Sequence, residues 1–449
     1  MNVKTLEEID FFRIREVVAD YCITTEGKNN FLQKLPISDS EQIDFLKKCG
    51  IEWTRYLNVL HATPLKYWEP IKNLLPIIRM NGASLTLEQV HALSQFCVSV
   101  RTLKESIEKH KIELELNILS AECEKLLDLS ETEKKIFRII TPDGQMKDLP
   151  EIAAIRQKIA ALNSKIKVIM HKYTSDSKYS GILESTVPVL RGGRQVLAVK
   201  ASMQNRIPGL IYEVSASAQT VYIEPDEAVR CSNELVQKEH ELEMEIKKVL
   251  TNLTTELQPS IPLFKNNLQI MLLFDTTLAG ARWGKENNCT YAETCKYFIE
   301  TQEFEPPILA QARHPLLKDK AVPIDIRFLP NKRVLIITGP NTGGKTVSLK
   351  TFALFAMLNQ IGLPVLASYE TRLPIFTNVF ADIGDDQSLD NSLSTFSGHM
   401  KNIARAVQNA NDTTLILLDE LGSGTDPQEG TAISMAVLDT LIEKNHLFL

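Results

Sequence analysis

Residues 339–346 read Gly339-Pro340-Asn341-Thr342-Gly343-Gly344-Lys345-Thr346, and this stretch decides the fold of the domain around it. The apolar run Val334-Leu335-Ile336-Ile337 precedes it, and a helical pattern follows from Val347 to Leu358, with Gly362 placed to end that helix. A strand, a glycine-rich loop, a Lys-Thr pair and a helix in this order form the context of a phosphate-binding loop. The pattern therefore predicts a site for a nucleoside triphosphate.

The chemistry of the loop explains its composition. Glycines let successive backbone N–H groups curl around phosphate oxygens at the positive end of the helix dipole. We expect Lys345 to reach the β- and γ-phosphates and the Thr346 hydroxyl to bind Mg²⁺. A tight glycine turn that binds nothing is the alternative, but a Lys-Thr pair at the start of the helix makes that interpretation the weaker one. The predicted cofactors are ATP and Mg²⁺, and the predicted binding residues are Gly339, Pro340, Asn341, Thr342, Gly343, Gly344, Lys345 and Thr346.

Composition limits the class of protein. A length of 449 residues predicts two to four domains, and 44% hydrophobic residues suffice for packed cores. No apolar run approaches the length of a membrane span and the first residues show no apolar signal region, so we expect a soluble, cytoplasmic protein without membrane contact. Seven scattered cysteines, without metal-ligand spacing, favour reduced thiols over disulfides or a zinc site.

Hydrophobic spacing predicts a multidomain chain. We predict a helical core over residues 1–150, a helical arm and clamp over 151–256, a helical return to the core over 257–310, and an α/β P-loop ATPase domain over 311–449. In the arm, six apolar residues step by three and four, which predicts a coiled-coil helix with one partner helix. The six are Ile152, Ile155, Ile159, Leu162, Ile166 and Ile169, and the candidate partners are Leu235, Leu242, Ile246, Val249, Leu253 and Leu257.

The segment between these two helices has the character of a small sheet. Val187-Pro188-Val189-Leu190, the turn Arg191-Gly192-Gly193-Arg194 and Val196-Leu197-Ala198-Val199 predict a β-hairpin. Residues 210–212 and 220–223 predict two further strands. The expected architecture is therefore a pair of antiparallel helices with a small β clamp at its tip.

Charge is unevenly distributed along the arm. The chain as a whole has a net charge of −6, which argues against a generally basic nucleic-acid binder, yet residues 152–212 contain ten Lys or Arg and two acids. Pairing with the acidic returning helix is one interpretation of the helical part. The tip fits it less well, because 185–212 contains four basic residues and no acid. We therefore predict a salt-dependent contact with a nucleic-acid backbone through Arg191, Arg194, Lys200 and Arg206.

A second apolar strand, residues 414–418, ends in a pair of acids. We predict that Asp419 binds Mg²⁺, usually through water, and that Glu420 orients or deprotonates the attacking water, a role worth on the order of 10²–10⁴-fold in rate. Alone, this pair is typical of a strand end that meets solvent. Because the phosphate loop lies about seventy residues earlier, the sequence favours Glu420 and Lys345 as catalytic residues.

Two loops complete the predicted site. Gln387 follows a strand-like run over residues 378–381 and suits a contact to the metal or its water. Ser394 and Ser397 lie at the start of a helical segment, where helix capping is the alternative explanation for their hydroxyls.

Together these motifs resemble the ATPase domain of the MutS family, an ABC-type ATPase. The resemblance rests on residues 339–346, Ser394-Thr395-Phe396, Leu418-Asp419-Glu420-Leu421-Gly422-Ser423-Gly424-Thr425-Asp426 and Arg313-His314-Pro315. Within the family, Asn205-Arg206-Ile207-Pro208-Gly209 and the run Ser215-Ala216-Ser217-Ala218-Gln219-Thr220 are similar to the second bacterial branch, which is associated with suppression of recombination. The likeness extends over essentially the whole chain.

The resemblance implies a helical core and lever, a clamp over 151–256 and a dimeric ATPase. In such dimers Ser394 and Ser397 would contact the γ-phosphate bound to the partner, so that ATP state and grip on DNA become linked equilibria. The sequence stops at Leu449, before the family's switch histidine, its dimerising helices and its small C-terminal nuclease domain. We therefore interpret it as a truncated form in which the endonuclease domain is absent.

The leading functional hypothesis is a DNA-binding ATPase that acts on branched or distorted DNA and suppresses homologous recombination. Two alternatives stay open at this point. One is a ribosome-directed ATPase that rescues stalled or collided ribosomes, with the clamp on rRNA. The other is a module that holds nucleotide without turnover.

Overall fold

In the computed structural model, residues 2–295, 305–330, 332–339, 344–383, 392–411, 413–422, 426–443 and 447–448 are described, with only the backbone described for 392–398 and 447–448. These residues form two compact units, which we treat separately. One comprises 1–72, 95–129 and 262–449, and the other comprises 73–94 and 130–261. Within the described ranges, the helices are α1 (Val3–Glu8), α2 (Phe11–Ala19), α3 (Thr25–Phe31), α4 (Ser40–Leu60), α5 (Leu74–Arg79), α6 (Leu87–His110), α7 (Asn117–Glu124), α8 (Ser130–Ile139), α9 (Pro150–Ser175), α10 (Asp226–Leu257), α11 (Ile261–Glu286), α12 (Lys345–Asn359), α13 (Ser392–Asn409) and α14 (Pro427–Glu443).

The strands of the described residues form three small sheets. With the strands numbered along the chain, the first sheet is antiparallel and has the order β1-β2-β4-β3. The second is parallel with the order β11-β10-β9, and the third is mixed with the order β5-β8-β6-β7. The strands are β1 (Val189–Arg191), β2 (Arg194–Lys200), β3 (Gly209–Val214), β4 (Thr220–Pro225), β5 (Glu293–Thr294), β6 (Ile308–Ala312), β7 (Ile324–Arg327), β8 (Arg372–Leu373), β9 (Asn378–Asp382), β10 (Thr414–Leu418) and β11 (Leu447–Phe448).

In the second unit, α9 and α10 pack against each other and confirm the predicted antiparallel pair. Ile152, Ile155, Leu162 and Ile166 are buried along α9, as the three-and-four spacing predicts, whereas Ile159 is only half-buried. A pair of helices has one shared face, so apolar residues at its edge keep contact with water. The ion pair between Lys172 and Glu227, 2.8 Å apart, is consistent with the interpretation that charges join the two helices.

The predicted hairpin is confirmed at the tip of this arm. Strands β1 and β2 pair antiparallel with Arg191 opposite Arg194, and the two turn residues Gly192 and Gly193 have φ of 54° and 79°. Left-handed backbone at both central positions is what a two-residue hairpin turn requires, and glycine adopts it without steric cost. Residues 197, 199, 221 and 223 fill the interior of the clamp together with Ile166 and Met170 of α9.

The first unit is organised around β10 and α12. Leu415, Ile416 and Leu417 are each 0% exposed, because helices cover both faces of this parallel strand. Leu415 and Leu417 belong to the core that contains α12, whereas Ile416 packs with Ala406 of α13 and Leu441 of α14. Alternation along a strand explains how consecutive residues reach two different cores.

Helix α12 ends where the sequence predicted. Gly362 has φ of 76°, and its N–H and that of Leu363 donate to the carbonyl oxygens of Asn359 and Leu358, which closes the helix C-terminus. A Cβ atom at Gly362 would lie 2.4 Å from the Cβ of Leu46. Glycine is therefore required here both by backbone conformation and by the close approach of α4.

The strand predicted for residues 334–337 is wrong. Val334 forms a single bridge and packs on the core of Ile416, but the run does not continue as a strand, and Ile336 is 68% exposed. Both edges of β10 are paired, with β9 and β11, so the run does not lie next to β10 in the sheet. The domain boundaries predicted from the sequence stay predictions. Among the helices described, none is both long and apolar enough to span a bilayer.

We predict that Gly362→Ala lowers the free energy of unfolding of the first unit by about 2 kcal/mol or more, because alanine would adopt a left-handed conformation and overlap Leu46. Urea unfolding followed by tryptophan fluorescence measures this, since Trp53, Trp68 and Trp283 all lie in that unit. Gly362→Asn is the matched control, because asparagine tolerates this backbone but still carries a Cβ atom. An alanine variant as stable as the parent chain would contradict the left-handed backbone and the close contact with Leu46 that we assign to position 362.

Candidate nucleotide site and clamp surface

The first turn of α12 brings three parts of the predicted loop together. Gly344 precedes the helix with φ of 79°, and its carbonyl oxygen accepts the first helical hydrogen bond, from the N–H of Ser348 at 2.9 Å. Lys345 reaches back so that its ammonium donates to the carbonyl oxygen of Gly339 at 2.8 Å. The two ends of the loop are thus held near each other by the side chain that was predicted to bind phosphate.

A contact between Thr346 and Asp419 joins the helix to the parallel sheet. The Thr346 hydroxyl donates to Oδ2 of Asp419 at 2.5 Å, although the two residues are 73 positions apart in sequence. Asp419 is positioned by the sheet, because its N–H donates to the carbonyl oxygen of Asp382 at 3.0 Å and so extends the ladder between β9 and β10. The structure therefore brings together two residues that the sequence analysis assigned to one Mg²⁺.

These two oxygens fit the coordination chemistry of Mg²⁺. The ion prefers hard oxygen ligands at about 2.0–2.1 Å in octahedral geometry, and neighbouring ligands of such an octahedron are about 3 Å apart. The hydroxyl of Thr346 and the carboxylate of Asp419 already lie within a few tenths of an ångström of that separation. Thr346 and Asp419 would hold the ion, and Mg²⁺ would there supply positive charge to the phosphate oxygens.

Glu420, which follows Asp419, has a backbone conformation that is unusual for a residue with a side chain. It has φ of 48°, a left-handed conformation that is uncommon for a residue with a Cβ atom, and its side chain is exposed at the end of β10. Strained conformations of this kind persist where neighbouring structure determines them, and they are concentrated at functional sites. Gly422 follows with φ of 84°, and a Cβ atom there would lie 2.5 Å from the carbonyl oxygen of Gly430.

The predicted catalytic side chains border one cavity. A cavity of about 260 Å³ is lined by Lys345, Asp419 and Glu420 on its polar side and by apolar residues that include Leu349 and Leu438. Convergence of a cation and two acids on a partly apolar cleft is typical of a ligand site.

A second polar cluster, which sequence reasoning missed, lies at the end of the neighbouring strand. Oδ2 of Asp382 is 2.9 Å from Nδ1 of His399, and Oδ1 accepts a hydrogen bond from Asn402 at 3.3 Å. Asp382 is buried, and His399 and Asn402 belong to α13. The helix that begins with the predicted Ser394 and Ser397 is therefore tied to the strand beside Asp419. Asp382 at the end of a strand was the one signal that the sequence offered for this cluster. Its partners His399 and Asn402 are 17 and 20 residues away, so the sequence did not connect them.

Two titratable groups of the first unit, the half-buried Glu8 and the buried His314, have shifted pKa values. Burial raises the pKa of Glu8, whose carboxylate borders the same cleft as Asp382, and the charge of Lys4 opposes that shift. Burial also lowers the pKa of His314, which is 7% exposed. The shift favours the neutral imidazole of His314, and its Nε2 atom has no hydrogen-bond partner among the residues described.

Several predicted binding residues lie outside the described part of the chain. They are Pro340, Asn341, Thr342, Gly343 and Gln387, and the side chains of Ser394 and Ser397.

Comparison with known proteins identifies the family. Residues 335–449 match the family model of MutS domain V. The chain is 34% identical over 98% of its length to the endonuclease MutS2 of Thermotoga maritima, and 34% over 99% to that of Caldicellulosiruptor saccharolyticus. The chain belongs to the MutS family. A further relative, the endonuclease MutS2 of Levilactobacillus brevis, is 33% identical over 98% of the chain and also indicates the MutS2 branch. The predicted family and branch are confirmed.

This MutS-family chain spans about half the length of those relatives, which is 56% for Thermotoga maritima and 55% for the other two. The region that matches MutS domain V contains α12, β10 and every described residue of the nucleotide site. The candidate site of the MutS-family chain and the family match therefore coincide.

The clamp of the MutS-family chain contains an ion pair that the sequence analysis did not anticipate. Arg194 donates to Oε2 of Glu224 at 3.0 Å and to Asn233 at 2.6 Å. The Glu224 side chain is 0% exposed and that of Arg194 is 16% exposed. Because a buried carboxylate without its cation is costly, Arg194 is held within the clamp fold.

The other predicted basic residues are more accessible. Arg191 lies 3.1 Å from Glu213 and stacks 4.6 Å from the ring centre of Tyr222, with 41% of its side chain exposed. Lys200 and Arg206 are exposed at the far end of β2 and in the turn that follows. Glu213 and Glu224, just beyond the segment counted from the sequence, reduce the positive charge of the tip, so Lys200 and Arg206 contribute most to the surface charge among the four.

We predict that Glu224→Gln loosens the clamp sheet by about 2–4 kcal/mol, because it leaves Arg194 without its buried counter-charge. Glu213→Gln is the matched control, since it removes the same charge from an exposed pair and should change little. Hydrogen exchange of the amides in β2 and β4 measures the effect. Equal exchange in the two variants would show that Arg194 does not depend on Glu224.

Proposed function

We propose that this chain binds and hydrolyses ATP with Mg²⁺ and couples the nucleotide to a grip on DNA. The observation that most supports the proposal is the contact of Thr346 with Asp419, since a hydroxyl and a carboxylate predicted to share one cation lie 2.5 Å apart beside Lys345. We propose branched or distorted DNA as the substrate and suppression of homologous recombination as the outcome, as the family resemblance implies.

Each residue of the site would have its own role in binding or hydrolysis. Lys345 would exchange the carbonyl of Gly339 for phosphate oxygens, so the contact that closes the loop becomes a contact with the ligand. Glu420, exposed at the mouth of the cavity, would accept a proton from the attacking water and orient it toward the γ-phosphate. Asp382 would hold α13 through His399, so that Ser394 and Ser397 keep a fixed position at the start of that helix.

The clamp would supply the nucleic-acid contact. Phosphate neutralisation by Lys and Arg gives binding that weakens with salt and does not depend strongly on sequence. Lys200 and Arg206 are the residues we assign to this contact, because Arg194 already pairs with a buried carboxylate. Binding of ATP in a dimer would bring two clamps together around DNA, which links the two ligands thermodynamically.

We predict that the chain releases phosphate from ATP and that Lys345→Ala lowers both nucleotide affinity and turnover, by about 100-fold in turnover because a charge-stabilising contact is lost. Glu420→Gln should keep nucleotide affinity and lose turnover by about 10²–10³-fold. Equilibrium binding of a fluorescent ATP analogue and a phosphate-release assay separate the two effects.

Lys265→Ala, an exposed lysine of α11, is the matched control and should leave both quantities unchanged. Nucleotide binding without phosphate release in the parent chain would instead favour the module that holds nucleotide without turnover. Equal binding by the parent chain and Lys345→Ala would refute the nucleotide site itself.

We predict that Lys200→Glu combined with Arg206→Glu weakens binding to four-way-junction DNA and reduces the slope of log Kd against log salt by about 1–2, because about one phosphate contact is lost per residue. Lys66→Glu combined with Lys265→Glu is the control, since it makes the same change in charge on exposed lysines outside the clamp. Identical salt slopes for the two double variants would exclude the clamp from the DNA contact. Displacement of DNA by ribosomes, and not by duplex DNA, would instead favour the ribosome-directed alternative.

A further inference from the structure

The side chain of Lys34 is an unusual cation of the first unit. Its ammonium lies 5.4 Å from the ring centre of Phe31 and donates to the Thr276 hydroxyl at 3.0 Å, and within the part of the chain that the structure describes no carboxylate approaches it within 4 Å. Thr276 is itself a buried residue, with 1% of its surface exposed. Two of the three N–H donors of the ammonium therefore have no protein acceptor among the described residues.

This environment is costly for a charge. Burial lowers the pKa of Lys34 to about 8. The amine is therefore still protonated at pH 7, but it binds its proton less tightly than an exposed lysine does. Lys34 is half-buried, and a cation that has lost part of its hydration is normally paired, because desolvation of an unpaired one opposes folding. The missing partner is therefore a feature that calls for an explanation.

The ammonium borders a cavity of about 430 Å³, which lies within the size range of small-molecule sites. Its wall is formed by residues from the end of α3 to the first two turns of α4, by the middle of α11 and by the two residues that follow α12. Half of the lining residues are aliphatic, the others are polar, and Lys34 is the one cationic member among the described residues. The aliphatic lining residues are Leu35, Ile37, Leu46, Leu272, Leu273 and Ile361.

We propose that this cavity binds a small amphipathic monocarboxylate, with the carboxylate on Lys34 and the alkyl part against the aliphatic wall. One positive charge matches one negative charge, whereas a phosphate dianion would need further cations or N–H donors. The carboxylate accepts the two unused N–H donors, and burial of an alkyl chain contributes about 0.8 kcal/mol per CH₂ group. Thr276 and Gln360 frame the charged end, and the Gln360 side chain is already occupied by hydrogen bonds to Ile37 and Phe376.

The site is separate from the nucleotide site, because it lies at the last turn of α12 and the phosphate loop precedes the first turn. A failure of nucleotide binding and a failure of carboxylate binding are therefore independent results.

The test is a calorimetric titration of the full chain with octanoate at pH 7, below the micelle concentration. We expect one octanoate per chain. Lys34→Met, which keeps the length of the side chain and removes the charge, should weaken binding at least tenfold. Lys28→Met is the matched control, because it removes the same charge from an exposed lysine of α3 that pairs with Asp20, and it should bind octanoate like the parent chain.

Folding of the test variant can be checked independently. Because Lys34→Met removes a half-buried charge without a carboxylate partner, its thermal unfolding without ligand should occur at the same temperature as in the parent chain or higher. Three results would overturn the proposal: no binding of octanoate at millimolar concentration, equal affinity of Lys34→Met and the parent chain, or equal affinity for octanol and octanoate.

Discussion

The hydrogen bond from Thr346 to Asp419 is the constraint on which the candidate nucleotide site depends. It joins the first turn of α12 to the end of β10, and each of these elements is fixed by burial on the side away from the site. Leu415 and Leu417 of the strand and Phe352 and Phe355 of the helix share one core. Because a close-packed core resists displacement, the two polar groups meet at a defined separation.

This arrangement also explains why the polar groups of the site can face the cavity while the apolar residues of α12 and β10 stay buried. Lys345 and Thr346 lie in the first turn of α12 and Glu420 follows β10, and the N–H groups of a first helical turn have no acceptor within the helix. The sheet supports this edge further through the ladder between Asp419 and Asp382, and Asp382 in turn holds α13. A change at one helix terminus would therefore be transmitted to the neighbouring helix through two adjacent strand ends.

Much of this fold could be predicted from the sequence because the relevant signals are local. The spacing of apolar residues predicted α9 and α12, Gly192-Gly193 predicted the hairpin turn, and Gly362 marked the end of α12. The pair of Arg194 and Glu224 could not be predicted in this way, since it joins residues 30 positions apart and depends on strand register. The strand expected at 334–337 is wrong for a related reason, because hydrophobicity alone does not specify which residues pair, and only Val334 forms a bridge. The cavity beside Lys34 combines segments more than 200 residues apart, so no sequence pattern could indicate it.

The most direct test of the nucleotide site is a crystal structure of the chain with Mg²⁺ and a non-hydrolysable ATP analogue. We expect the triphosphate to lie at the N-terminus of α12, with the metal bound by the Thr346 hydroxyl and, directly or through water, by the Asp419 carboxylate. Density for the nucleotide at another place, or a bound nucleotide whose metal contacts neither residue, would contradict the assignment of this site.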